Sequence, residues 1–243
     1  MLKITPFKTN KDLIKLTPLM KADLIPKFPQ SVLIVGASGS GKTTLLQNIM
    51  LKEEFYKGYH DFVFLFARTG KLDDALKSLK IKKEHVFTKQ DDMITAVNTI
   101  FNSQTKNVEN GTIDKVPKLL CIFEDLTTNK KLIRDPVFQS LWTMGRHLNI
   151  QVISMIHKYK ALDRESRLNA MNVIYFRGSG DETMQLVDDF TPPGHSKKEF
   201  LDIVNYATNP TPDSRHNFLY ICNKLPFKIR YRRNFDLILT LKK

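Results

Sequence analysis

Short, unbroken apolar runs recur along this chain, separated by segments whose apolar residues fall at helical spacing. "SVLIV" (31–35), "DFVFLFA" (61–67), the shorter "EHVFT" (84–88), "KLLCIFEDL" (118–126), "IQVISMI" (150–156) and "NVIYFRG" (172–178) show little polar alternation. That is the pattern of strands covered on both faces. Helical spacing marks residues 44–50, "QDDMITAVNTIFNSQ" (90–104), "DPVFQSLWTMGRHL" (135–148), "DETMQLVDDF" (181–190) and "SKKEFLDIVNYA" (196–207). Pro136 falls in the first turn of its segment, where a missing N–H costs nothing. "NVENGTIDKVP" (107–117), with Asn-Gly and a proline, predicts a surface loop. The chain closes on "HNFLYICN" and "FKIRYRRNF", which predict two strands joined by a short turn around Lys224–Pro226. Residues 1–30 predict an irregular or partly helical lead-in. Alternating strands and helices predict an α/β fold, a mainly parallel central sheet with helices on both faces. The expected division is a lead-in (1–30) and one domain (31–243), its core at 31–178 and C-terminal helices and strands at 179–243.

The first strand runs into Gly36-Ala37-Ser38-Gly39-Ser40-Gly41-Lys42-Thr43, which meets every fixed position of G-x-x-x-x-G-K-[ST], and Thr44 continues into a helix. The order has a physical reason. Glycines let the backbone wrap so that several N–H groups converge on a polyphosphate. The helix that follows points its positive end at the same anion. Lys42 reaches the β- and γ-phosphates of ATP, and the Thr43 hydroxyl ligates Mg²⁺. These residues predict a P-loop NTPase.

The second half of such a site comes from a neighbouring strand, because ligands of these sheets bind outside the carboxyl ends of the strands. Leu119–Phe123 end in Glu124 and Asp125. One carboxylate can hold the Mg²⁺ water shell and its neighbour can polarise the attacking water. We assign Glu124 to the metal and Asp125 to the water. Adjacent acids favour hydrolysis over phosphoryl transfer to a small acceptor, and no arginine-rich lid segment stands out. A motor therefore precedes a small-molecule kinase.

Composition adds a partner. The 243 residues carry 38 Lys and Arg against 25 Asp and Glu, a formal net charge of +13. A metabolic kinase needs no such excess, whereas a protein that handles a polyanion gains affinity and steering from it. With 42% hydrophobic residues the chain can bury a core, and no apolar run is long enough to span a bilayer. The amino-terminal segment lacks a signal-peptide apolar region. Cys121 and Cys222 both lie in apolar runs and predict buried free thiols. A soluble, intracellular protein without a membrane partner is expected.

"GASGSGKTT", "LLCIFEDL", "MGRHLNIQVISMIHKYKAL" and "RLNAMNVIYFRG", in this order, resemble the FtsK–HerA superfamily. The likeness is greatest to its viral branch, the genome-packaging ATPases of large cytoplasmic DNA viruses and of virophages, and covers about residues 30–178. It implies a RecA- or FtsK-like P-loop core and a ring, hexameric or pentameric, that translocates double-stranded DNA into a capsid, in the host cytoplasm if viral. It also implies an arginine finger supplied in trans, for which Arg146 is the first candidate and Arg167 the second. Arg146 could equally be a cation at a helix end, and Arg167 a solvated charge. The residue after "VISMI" is the polar sensor in that branch, usually Gln and here His157. A hydrogen-bonded core histidine is the alternative. The acid pair is Glu-Asp where Asp-Asp or Asp-Glu is commoner. Another DNA-dependent ring ATPase, a helicase or segregation pump, would share this core.

DNA contact has several candidates. On a strand, Lys228, Arg230 and Arg232 would place three cations on one face, suited to phosphate contact without base readout. An outer strand face kept from edge pairing by its charge is the competing reading. Lys158 and Lys160 in "HKYK", and "ARTGK" (67–71), are basic loops at strand ends.

Overall fold

The computed structural model describes residues 14–18, 25, 29–68, 74–126 and 129–241. Its strands are β1 (Ile14–Pro18), β2 (Ser31–Val35), β3 (Phe62–Ala67), β4 (Val86–Phe87), β5 (Leu119–Glu124), β6 (Ile150–Ile156), β7 (Asn172–Phe176), β8 (Phe218–Cys222), β9 (Tyr231–Arg233) and β10 (Leu237–Leu241). Its helices are α1 (Lys42–Leu51), α2 (Asp74–Ser78), α3 (Gln90–Glu109), α4 (Lys130–Ile133), α5 (Pro136–Met144), α6 (Arg164–Asn169), α7 (Gly180–Phe190), α8 (Lys197–Thr208) and α9 (Phe227–Arg230).

All the strands join one sheet in the order β1-β10-β9-β8-β7-β2-β6-β5-β3-β4. From β7 to β4 every pairing is parallel, and β2 is flanked by β6 and β7. From β7 outward to β1 every pairing is antiparallel. The α/β expectation of a parallel centre is met, with an antiparallel wing added.

Unbroken apolar runs make sense here because both faces of the centre are covered. Leu33 and Val35 of β2 point into one core with residues of α3, α5, α7 and α8, whereas Val32 and Ile34 point into another with Leu46 and Ile49 of α1. β5 divides the same way, with Cys121 and Phe123 on one side and Leu120 and Ile122 on the other. Phe87, Phe66 and Phe123 stack at 5.2 and 4.6 Å between ring centres, and Phe138 of α5 meets Phe123 edge-on at 5.1 Å. Cys121 and Cys222 are buried and free, as expected.

Helix starts follow local chemistry. Asp135 accepts from the amides of Val137 and Phe138 ahead of α5, with Pro136 at the first position. Ser196 and Glu199 form a reciprocal capping box at α8. Among the described residues no helix is long and apolar enough to cross a membrane.

Three expectations need correction. The lead-in contributes a strand, since β1 pairs with β10 from Ile14↔Leu241 to Pro18↔Leu237; the rest of residues 1–28, except 25, lies outside the described residues. "FKIRYRRNF" is not one strand. Pro226 precedes a single helical turn, α9, closed by the Ile229 amide on the Pro226 carbonyl, and only Tyr231–Arg233 is extended. A last strand, β10, follows that the sequence did not announce.

β10 joins β1 to β9, and its Leu239 is fully buried. Leu239→Ala should lower stability by about 2–5 kcal/mol in urea unfolding, the usual cost of emptying a core leucine site. A loss under about 0.5 kcal/mol, the size of an ordinary surface change, would show that the antiparallel wing is peripheral to the cooperative core.

Candidate nucleotide-binding site

β2 ends in the middle of the sheet, and the Gly36 amide there donates to the Ile156 carbonyl of β6 at 3.1 Å. Only glycine fits at 36. A Cβ would stand 2.5 Å from Ser40 Oγ and 2.8 Å from Phe176 Cβ. Gly39 (φ +74°) and Gly41 (φ +99°) take left-handed backbone that other residues rarely adopt. Gly41 precedes α1 with no side-chain cap, so the amides of the first turn face a cavity of about 820 Å³. Ser38, Gly39, Gly41, Lys42, Thr43 and Thr44 form one wall, and Glu124, Asp125 and His157 stand opposite.

Lys42 lies under the loop, 9% exposed. Its Nζ donates to the Gly36 carbonyl (2.7 Å) and the Ala37 carbonyl (2.9 Å), and comes within 3.3 Å of His157 Nδ1. Burial lowers the Lys42 pKa, and the charges of Asp125 and then Glu124 pull it back up.

Glu124 is the last residue of β5, in register with Met155 of β6. Asp125 then turns with φ +44°, its amide donating to the Met155 carbonyl at 3.0 Å. A non-glycine residue held there is strained, and such positions cluster at sites of function. The ammonium of Lys42 can only donate, so His157 Nδ1 accepts and Nε2 carries the proton. Nε2 stands 3.7 Å from Asp125 Oδ2. Lysine, imidazole and carboxylate thus form a row across the cavity.

The fold brings together Gly36–Thr44, Glu124, Asp125 and His157 and leaves the arginines elsewhere. Arg146 is exposed in a 3₁₀ turn, Gly145–Leu148, its Nε donating to His147 Nε2 at 3.1 Å. With Ser31, Asn169 and Lys224 it lines a cavity of about 110 Å³ at the amino end of β2. That is one strand length, about 13 Å, from its own P-loop.

Arg167 corrects an expectation. It is 6% exposed and held by Asp189 (3.1 Å), by the Leu162 carbonyl (2.7 Å) and over the Tyr159 ring (4.7 Å). It is neither a solvated charge nor free to reach a neighbour's phosphate. The three-cation ladder is also absent. Lys228 and Arg230 lie on α9, where Arg230 donates to the Leu225 and Asn223 carbonyls. Arg232 is 3% exposed, its guanidinium 5.4 Å from the centre of the Tyr220 ring. Lys158, Lys160 and Lys228 are exposed. Of the 67–71 loop, residues 69–71 lie outside the described residues.

Sequence reasoning missed one wall. Phe176, Phe218 and His216 line the cavity because β8 runs antiparallel to β7, pairing Phe218 with Phe176. An antiparallel return brings its start to the ligand edge. No motif in "SRHNF" signals this.

A glycine-rich turn between a buried strand and a helix, a lysine beneath it and acids on the adjacent strand define a P-loop ATPase. Residues 19–225 match the family model described as Poxvirus A32 protein, and the chain belongs to that family. In structure it is similar to the genome packaging NTPase B204 of Sulfolobus turreted icosahedral virus 2 in complex with ATP-gammaS, with a TM-score of 0.56 and 12% identity over 89% of this chain and 98% of that one. B204 of Sulfolobus turreted icosahedral virus, described as a DNA-packaging ATPase, aligns at 0.56 and 12% over 90% of this chain and 98% of that one. EssC (ATPases 2 and 3) from Geobacillus thermodenitrificans aligns at 0.53 and 15%, over 87% of this chain and 39% of that one. No curated protein sequence matches the chain.

The two arginines should separate experimentally. Arg167→Met removes one partner of the Asp189 carboxylate, 1% exposed, leaving it to Arg164 (3.2 Å) and the Tyr159 hydroxyl (2.9 Å), and should cost about 1–3 kcal/mol in urea unfolding. Arg146→Ala should change stability by no more than about 0.5 kcal/mol. Equal effects would contradict the placement of Arg167 in a buried network.

Proposed function

We propose that this chain is a motor that hydrolyses ATP to drive double-stranded viral DNA into a capsid. By its family it is a viral genome-packaging ATPase, and its fold is that of B204, whose structure was solved with ATP-gammaS. The observation that carries the chemistry is the cavity across which Lys42 of the P-loop, His157 and Asp125 form a row.

In this account the loop amides and the start of α1 hold the β- and γ-phosphates of ATP. Lys42 exchanges loop carbonyls for phosphate oxygens. Asp125 polarises the attacking water, and His157, between Asp125 and Lys42, detects the γ-phosphate. Thr43 and Glu124 offer hard oxygen donors on facing walls, which fits Mg²⁺, an ion held by few side chains plus substrate phosphates. It would offset charge on the phosphates.

Arg146 lies too far from its own P-loop to serve it. As a finger it would act on the next subunit of a hexameric or pentameric ring, an effect worth about 10³–10⁵ in rate in known cases. Exposed Lys158, Lys160 and Lys228 are the candidates for DNA phosphates, and the +13 charge supports a polyanionic track. A capsid component and the host cytoplasm as assembly site complete the proposal. So does one ATPase domain over 31–243, with the lead-in adding β1 at the far edge.

ATP hydrolysis measured with and without double-stranded DNA tests this. Stimulation should fade between low and moderate salt, as counterion release demands, and vanish in Lys42→Ala. Hydrolysis indifferent to DNA would leave an ATPase and sink the motor.

A further inference from the structure

His216, which lies outside the P-loop and its acids, contacts the loop's own backbone through its ring. Its Nδ1 lies 3.1 Å from the Ser40 carbonyl, 176 positions away in the chain. A carbonyl only accepts, so Nδ1 carries the proton and donates. The ring also covers Gly41: a Cβ built there would meet its Cβ, Cγ and Nδ1 at 3.5 Å each. Both partners matter to phosphate binding. Ser40 and Gly41 form the peptide at which the loop turns into α1, and a cradle works only if its amides face the anion.

The histidine is presented by a braced clasp. Thr211 and Ser214 pair as an isolated bridge, and the His216 amide donates to Ser214 Oγ at 3.2 Å. Asn217 is 4% exposed, and its Nδ2 donates to the Asn209 carbonyl (3.1 Å) and the Ser214 carbonyl (3.0 Å). Arg233 of β9, also 4% exposed, donates to the same Asn209 carbonyl at 3.0 Å. Asn234 completes the tie through Asn217 Oδ1 at 3.2 Å. The bracing fixes where His216 can put its proton.

From this geometry we infer that His216 is a positioning residue for ATP: by donating to the Ser40 carbonyl it holds the Ser40–Gly41 peptide with its amide toward the phosphates. It rests on the ATP assignment above and extends it to a residue of the antiparallel wing. The clasp makes β9 a structural neighbour of the nucleotide.

The test compares full-length wild type, His216→Ala and His216→Asn. Asparagine can place Nδ2 where the imidazole has Nδ1 and so keeps the donor. Affinity for Mg-ATP, KM and kcat are measured, with a melting curve for each. His216→Ala should bind ATP about 3- to 10-fold more weakly, the span of one ordinary hydrogen bond, and raise KM by a similar factor with kcat little changed. His216→Asn should recover most of that loss, and all three should melt together because His216 is exposed. Wild-type affinity in His216→Ala would overturn the inference. So would failure of His216→Asn to recover, since the ring rather than the donor would then be what counts. A chain that binds no ATP even as wild type would overturn the nucleotide assignment, and this inference with it.

Discussion

An ammonium group taken almost out of water must be surrounded by oxygen, and the centre of this molecule is arranged around that need at Lys42. Two carbonyls of the loop that precedes it supply the first partners. Those carbonyls can turn inward toward Lys42 only because Gly36 brings the loop against Phe176 and Ser40 with no side chain between. Glu124 and Asp125 supply the compensating charge, raising a pKa that burial lowers. The loop conformation, the glycine spacing and the acids at the end of β5 thus answer one electrostatic constraint. The same constraint prepares the site for a polyphosphate, whose oxygens can replace the carbonyls at Lys42.

The sheet order explains why these groups meet. β2 lies between β6 and β7, with β5 beyond β6, so the carboxyl ends of adjacent parallel strands deliver the loop, His157 and the acids to one edge. The antiparallel wing then adds a wall that a wholly parallel sheet would lack, because β8 starts at the edge where β7 ends. The opposite edge carries Arg146 beside the start of β2. The chain therefore displays a phosphate site and an exposed arginine at opposite ends of its strands.

What was legible in the sequence was local. β6 is the predicted 150–156 to the residue, because it is buried throughout and apolar at every position but Gln151 and Ser154. The P-loop and the Glu124–Asp125 pair were readable because fixed spacing encodes them. What was not legible depends on distant partners. Arg167 looks like any surface arginine until Asp189, from another helix, closes on it. "FKIRYRRNF" alternates like a strand, but Pro226 and the Arg230 contacts to nearby carbonyls curl its first half into a turn. β1 could not be anticipated at all, since its pairing with β10 joins opposite ends of the chain. His216 carries no motif, and only the direction of β8 brings it to the P-loop.

A packaging motor is distinguished by movement along DNA, not by hydrolysis alone. Displacement of a third strand from a double-stranded DNA triplex measures that movement directly. Wild type should strip the third strand in an ATP-dependent reaction, and Lys42→Ala should leave it in place. DNA-stimulated hydrolysis with the triplex intact would contradict the account and leave a DNA-dependent ATPase that does not translocate.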